Sequence, residues 1–267
     1  SPIIIVLPPI GVNAAHDGDT LIVRSGEYAS ATVTKGISIL CQANVVIKGD
    51  RIRNLAIVIR DIAAHARVVV SGCQLKTDPM SYETGGATLQ CSDCEGPVHL
   101  ERIVTSGSRS GPGLSIQRCS QVTVTRCTLD AGRSWDLLWP GVPLPGEVGI
   151  RCSNSSLLLV ETHSDSVNGT VYPPRYAEPI GSTIISSSRL MIVACTFTSA
   201  DDVCNPGSAP LHFPLSAIRA SDSTIVIADA ATRMLGSPPC RWPFGPAAAV
   251  SADASTTILA DPAATYS

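Results

Sequence analysis

The residues best suited to chemistry crowd into one stretch, "CTFTSADDVCNPGSAPLHF", residues 195–213. Asp201 and Asp202 are adjacent carboxylates at the end of an alternating apolar run, and His212 follows ten residues on. Asp165 lies one repeat earlier in "ETHSDSVNGT". Carboxylates facing a cleft can divide acid and base work, one protonating a leaving group while another activates water. An Asp pair where a strand enters a turn has a simpler use, because Asx side chains accept local backbone N–H groups. Both readings are open from these residues alone.

A second set of side chains suits recognition. Trp135, Trp139, Tyr172, Tyr176, Phe213, Trp242 and Phe244 fall in four stretches rich in Pro and Gly, although aromatics make up only 4% of the chain. Such rings either pack a small core under long loops, or stack on sugars and anchor a partner protein. Two N-x-S/T triplets, at Asn154 and Asn168, are glycosylation acceptors in a secreted chain.

Ten cysteines, an even number, read as a disulfide framework in an oxidising compartment. Cys204 and Cys240 follow Ile192 and Ile227 by 12 and 13 residues, so a bond between them is expected. Cys91, Cys119 and Cys152 read as a stack at one corner, paired or free. Cys127 and Cys195 have Thr162 between them and read as small buried apolar residues. A Cys41–Cys73 bond is left open. Cys91 and Cys94 form a C-x-x-C without a second ligand pair at zinc spacing, so no metal site is expected. His16, His65 and His163 read as turn or surface histidines. Ser-His-Asp catalysis lacks a G-x-S-x-G elbow, and no cofactor is called for.

The bulk composition narrows the classes. Net charge is −3 and charged residues are only 15%. With no Lys/Arg cluster, phosphate tracking along a nucleic acid is excluded. No apolar run reaches the length of a membrane span. No signal peptide is visible, which reads as a mature form or a portion of a longer chain.

Internal repetition supplies the elements that must position these side chains. "GLSIQRCSQVTVTRCTLDAG", "GIRCSNSSLLLVETHSDSV", "STIISSSRLMIVACTFTSA", "SAIRASDSTIVIADAATRM" and "AAAVSADASTTILADPAAT" share one pattern. Aligning them gives one core column, Val70, Leu100, Val124, Leu159, Ile192, Ile227 and Leu259, at steps of 30, 24, 35, 33, 35 and 32 residues. A second column is Leu89, Ile116, Ile150, Ile184, Ile218 and Val250. Short period-two strands recurring in this way predict a solenoid of stacked coils, each burying little alone. The longer steps carry insertions at 131–147, 164–182, 199–216 and 233–248, expected as loops side by side on one flank.

"HDGDTLIVRSGEYASATVTKGISILCQANVVIKG" resembles the opening coils of the pectin-lyase-like right-handed parallel β-helix superfamily, in its Asp17-Gly18-Asp19-Thr20 followed by three aliphatics and Gly26-Glu27-Tyr28. The resemblance implies an all-β, single-stranded right-handed parallel β-helix over residues 1–267, with about eight coils. "IVACTFTSADD" is similar to the polygalacturonase-type phrase in which a strand ending in C-T-hydrophobic runs into D-D. That implies an inverting hydrolase using Asp201, Asp202 and Asp165 with His212. The chain departs from the family in lacking N-T-D, the His-Gly pair and R-I-K; here Arg219 stands in "AIRAS". Lyase chemistry fits less well, since Lys35, Lys48 and Lys76 lie far from the insertions.

The expected function is a secreted, non-catalytic module at the cell surface or in a fibre. It would bind a polysaccharide or a neighbouring extracellular protein with the loop flank, with end-to-end or lateral assembly open. A polysaccharide hydrolase using the Asp pair is the alternative, and a structural spacer is the third reading.

Overall fold

Strands here are short because each coil must turn three times, and along each strand side chains alternate between the interior and the outer face. The computed structural model describes residues 3–5, 10–50, 55–77, 86–106, 111–131, 148–166, 182–198, 216–235, 249–260 and 265–266. Within these, the chain is a parallel β-helix whose strands form three parallel sheets of eight, ten and nine strands. One turn runs through Leu89–Ser92, Val98–Glu101 and Val104–Ser106. We call the three sheets entry, middle and exit in that order.

In the middle sheet the inward register is Leu21, Ile39, Val70, Leu100, Val124, Leu159, Ile192, Ile227 and Ala260. The expected column therefore holds from Val70 to Ile227 and slips by one at its end. Leu259 pairs with Val226 on the outer face and is 57% exposed. In the entry sheet, Leu89 stacks on Leu114, Ile150, Thr183, Ile218 and Val250. Ile116 sits two residues further along the same inner face, opposite Cys91, and Ile184 points outward beside Thr183. Each buried Val, Leu or Ile contributes about 1.5–3 kcal/mol, and stacking repeats that gain at every rung.

Two corners are closed by side-chain ladders. Between entry and middle sheets, Asp93, Arg118, Asn154, Ser187 and Asp222 take positive φ, 46–55°. The next residues, Cys94, Cys119, Ser155, Ser188 and Ser223, form one column. Ser155 Oγ accepts the Cys119 N–H at 2.9 Å and donates to the Ser153 carbonyl at 2.7 Å. Ser188 and Ser223 repeat both bonds in the following coils. Between middle and exit sheets the column is Cys73, Ile103, Cys127, Thr162, Cys195 and Thr232. Cys127 N–H donates to Thr162 Oγ1 at 3.4 Å, Thr162 N–H to Cys195 Sγ at 3.5 Å, and Cys195 N–H to Thr232 Oγ1 at 3.4 Å. These bonds satisfy buried N–H groups that the sheets cannot reach.

The eight described cysteines are free thiols, seven of them buried. Thr162 separates Cys127 from Cys195, and burial pushes both thiols up to about 11. The expected Cys91, Cys119 and Cys152 stack is corrected. Cys91 and Cys152 face the interior of the entry sheet on either side of Ile116, whereas Cys119 lies at the corner above Cys94.

At the first coil, the Asp17 carboxylate accepts the Gly36 N–H at 2.6 Å and Asp19 accepts the His16 N–H at 2.8 Å. The D-G-D-T phrase is thus a turn that pins one coil to the next. The Ile10–Ala14 helix lies at this end, with Val12 and Ala15 buried.

Candidate functional site

The exit sheet positions the candidate site. Around the site its strands are three residues long, with one inward side chain flanked by two outward ones. Thr128–Asp130 pairs with His163–Asp165, setting Thr128 beside His163 and Asp130 beside Asp165. His163 and Asp165, two residues apart, share the outer face. The imidazole and the two carboxylates offer one donor atom each, all within 4.8 Å of one another. All three residues are half-buried. Hydroxyls flank them in register: Ser106 next to Asp130, Thr196 next to His163, and Thr198 next to Asp165.

Asp165 was expected in a loop; it is the last residue of a strand, and His163 opens that strand rather than lying in a turn. The insertion expected from 164 therefore starts too early, as does the one from 233, since Arg233–Leu235 is also a strand. Sequence reasoning passed over Asp130 and His163. The signal was present in "TLD" and "HSD", which occupy the same place one coil apart.

One imidazole nitrogen and two carboxylate oxygens make a donor set of the kind that holds a divalent cation with open positions. The Asp130 and Asp165 oxygens lie closer than the gap of about 6.5–9.5 Å that inversion needs for an intervening water. They do not form an inverting pair by themselves. The C-x-x-C thiols of Cys91 and Cys94 join no cluster of three metal-ligating side chains among the described residues.

Asp201, Asp202, His212, Trp135, Trp139, Tyr172, Tyr176, Phe213, Trp242, Phe244, Cys204, Cys240 and Asn168 lie outside the described residues. Asn154 is exposed at its left-handed corner. The described residues that flank the aromatic-bearing segments fall into two columns. The chain leaves the exit sheet at Asp130, Asp165, Thr198 and Leu235, which are successive rungs of one column. It re-enters at Ile150, Thr183, Ile218 and Val250, successive rungs of the entry sheet.

No protein-family model matches the chain, and no curated protein matches it. No described helix is long and apolar enough to cross a membrane.

Proposed function

We propose that this chain is a non-catalytic extracellular β-helix module of the pectin-lyase-like type. It binds a glycan or a neighbouring extracellular protein where the chain leaves the exit sheet. One observation supports the reading above others: four long segments start on successive rungs and end on successive rungs. The sequence segments that carry the aromatic residues join the described chain at these rungs. Secretion, disulfide formation and glycosylation at Asn154 and Asn168 belong to the same proposal. A glycan array probed with the purified chain tests it. Trp135→Ala, Trp139→Ala and Trp242→Ala are expected to abolish each hit. A chain that binds no glycan, and captures no extracellular matrix or surface protein, is a spacer instead.

A second reading, polysaccharide hydrolysis, draws on Asp165 standing at the start of one of these segments beside Asp130. Incubating array hits with the protein and assaying new reducing ends separates the two. Release that disappears in Asp165→Asn, Asp201→Asn and Asp202→Asn would replace binding by hydrolysis.

A further inference from the structure

Two pairs of the eight described thiols hold matching or adjoining places in consecutive coils and the other four do not, and position decides which is which. Ser120 N–H donates to the Cys94 carbonyl at 2.8 Å, and Ser156 N–H to the Cys119 carbonyl at 3.1 Å. Cys94 and Cys119 therefore hold the same corner place in consecutive coils. Rungs of a parallel sheet are about 4.8 Å apart, inside the Cα separation of about 4.4–6.8 Å that a disulfide spans. The two thiols are near enough to shift each other's ionisation, Cys94 upward and Cys119 downward.

Cys41 and Cys73 meet at the other closed corner. Leu40 pairs with Ser71, which brings Gly72 alongside Cys41 and Cys73 just beyond it. Gly72 has φ +84°, and a Cβ on it would come within 2.8 Å of the Cys41 carbonyl. Only glycine allows this approach, and the Cys41 and Cys73 thiols shift each other's ionisation, Cys41 downward and Cys73 upward. By contrast, Ile116 intervenes between Cys91 and Cys152, and Thr162 between Cys127 and Cys195. Two rungs, about 9.6 Å, exceed the reach of a disulfide.

We propose that Cys94–Cys119 and Cys41–Cys73 are inter-coil disulfide bonds in the oxidised protein, while Cys91, Cys127, Cys152 and Cys195 stay as core thiols. The bonds close chain segments of 25 and 32 residues, from 94 to 119 and from 41 to 73. Each forms by exchange with a small-molecule disulfide such as oxidised glutathione. One thiolate attacks it and releases one glutathione thiol, and the second thiolate then displaces the other. Two electrons and two protons leave the cysteine pair for each bond. Cys119 is the better attacking sulfur, because the Cys94 thiol stabilises its thiolate and holds its pKa below the ordinary thiol value. Cys41 takes that part in the other pair, being the only described cysteine that is not buried. The inference shares an oxidising setting with the proposed function and does not depend on ligand binding.

The test uses the full chain folded in a glutathione redox buffer. Free thiols are blocked with N-ethylmaleimide under denaturing conditions. The protein is then reduced, labelled with the heavy reagent and sequenced by fragmentation. The expected result is heavy label at Cys41, Cys73, Cys94 and Cys119, light label at the four isolated cysteines, and cross-linked peptides joining 94 to 119 and 41 to 73. Light label at either pair overturns that bond, and cross-links between other described cysteines overturn the sorting. The double variant Cys94→Ser with Cys119→Ser keeps the corner chemistry, since serine fills this place at 155, 188 and 223. Reduction should lower the melting temperature of the parent by roughly 10 °C per bond, and that of the double variant by one bond less. Equal responses to reductant in the two proteins overturn the Cys94–Cys119 bond.

Discussion

Two corners of the solenoid are closed by hydrogen bonds, and the third is closed by size. At most rungs of the entry–middle and middle–exit corners, a left-handed residue precedes a Ser, Thr or Cys that bonds the coil before it; Ile62 and Ile103 take that place in two coils. At the exit–entry corner the column is Thr88, Gly113, Gly149, Ser182, Ala217 and Ala249, joined by backbone bonds such as Ile150 N–H to Ser182 O at 3.1 Å. The four long segments all attach beside this third corner. Connections at the stitched corners stay short, two residues at 154–155 and 161–162, five at 228–232 and seven at 61–67, and Thr232 still accepts the Cys195 N–H across the five-residue one. A corner that asks only for small side chains tolerates any length outside it.

The largest expected effect breaks the third corner. Gly149→Val places a Cβ against Ser164 Oγ and the carbonyls of Leu129 and Asp165. Backbone cannot yield as a flexible side chain does, so the loss should be about 3 kcal/mol, read by chemical denaturation. Next comes a stitched corner. Thr162→Val removes the Oγ1 that accepts the Cys127 N–H and donates to the Val160 carbonyl. One buried N–H left unsatisfied costs about 1–3 kcal/mol. Thr162→Cys should fall within about 1 kcal/mol of the parent, because sulfur already does this work at 127 and 195. A large loss for the cysteine variant would show that the corners need oxygen, not merely an acceptor.

A smaller effect depends on pH. Hydrogen bonds from Thr256 and Ser255 and from the Asp222 N–H hold the Asp253 carboxyl below its ordinary value of 3.8. Its stabilisation is therefore complete above that value and is lost as pH falls through the lower folded one. Stability measured below pH 4 should decline less steeply in Asp253→Asn than in the parent. The smallest effect is on the surface. Arg118 meets the Asp93 carboxylate with two bonds, 2.5 and 2.9 Å, but both groups are exposed. Exposed pairs are screened and entropically costly, so Arg118→Ala should leave the melting temperature unchanged within error at physiological salt.

The middle sheet was legible from sequence because inner and outer residues differ sharply in strands such as "VHLE" and "VTVT", and the repeat carries that register into the uniformly apolar "SLLLV" and "RLMIV". The slip at Leu259 arose because "TTILAD" offers Ile258, Leu259 and Ala260 with no turn residue to fix the register. The exit strands were illegible for a different reason. Their inner column includes Thr105 and Ser164 among Leu75, Leu129 and Phe197, and three residues give too little alternation to detect. Asp165 was consequently assigned to a loop, Asp130 was not singled out, and His163 was read as a turn or surface histidine. The cysteines misled in a related way, since spacing from the nearest aliphatic does not distinguish an inner face from a corner. The Asp201–Asp202 pair and the aromatic strip rest on residues outside those described.

The left-handed corner residues carry a consequence for engineering. Arg102, Arg126, Glu161 and Ala194 hold φ between 48 and 52° in four consecutive coils. For such side chains that backbone state costs about 1–2 kcal/mol each, and asparagine or glycine tolerates it far better. Heat tolerance has thus been left unharvested at one site per turn. Consensus replacement there offers a route to a hardier scaffold without touching its interior or the flank from which its long segments depart.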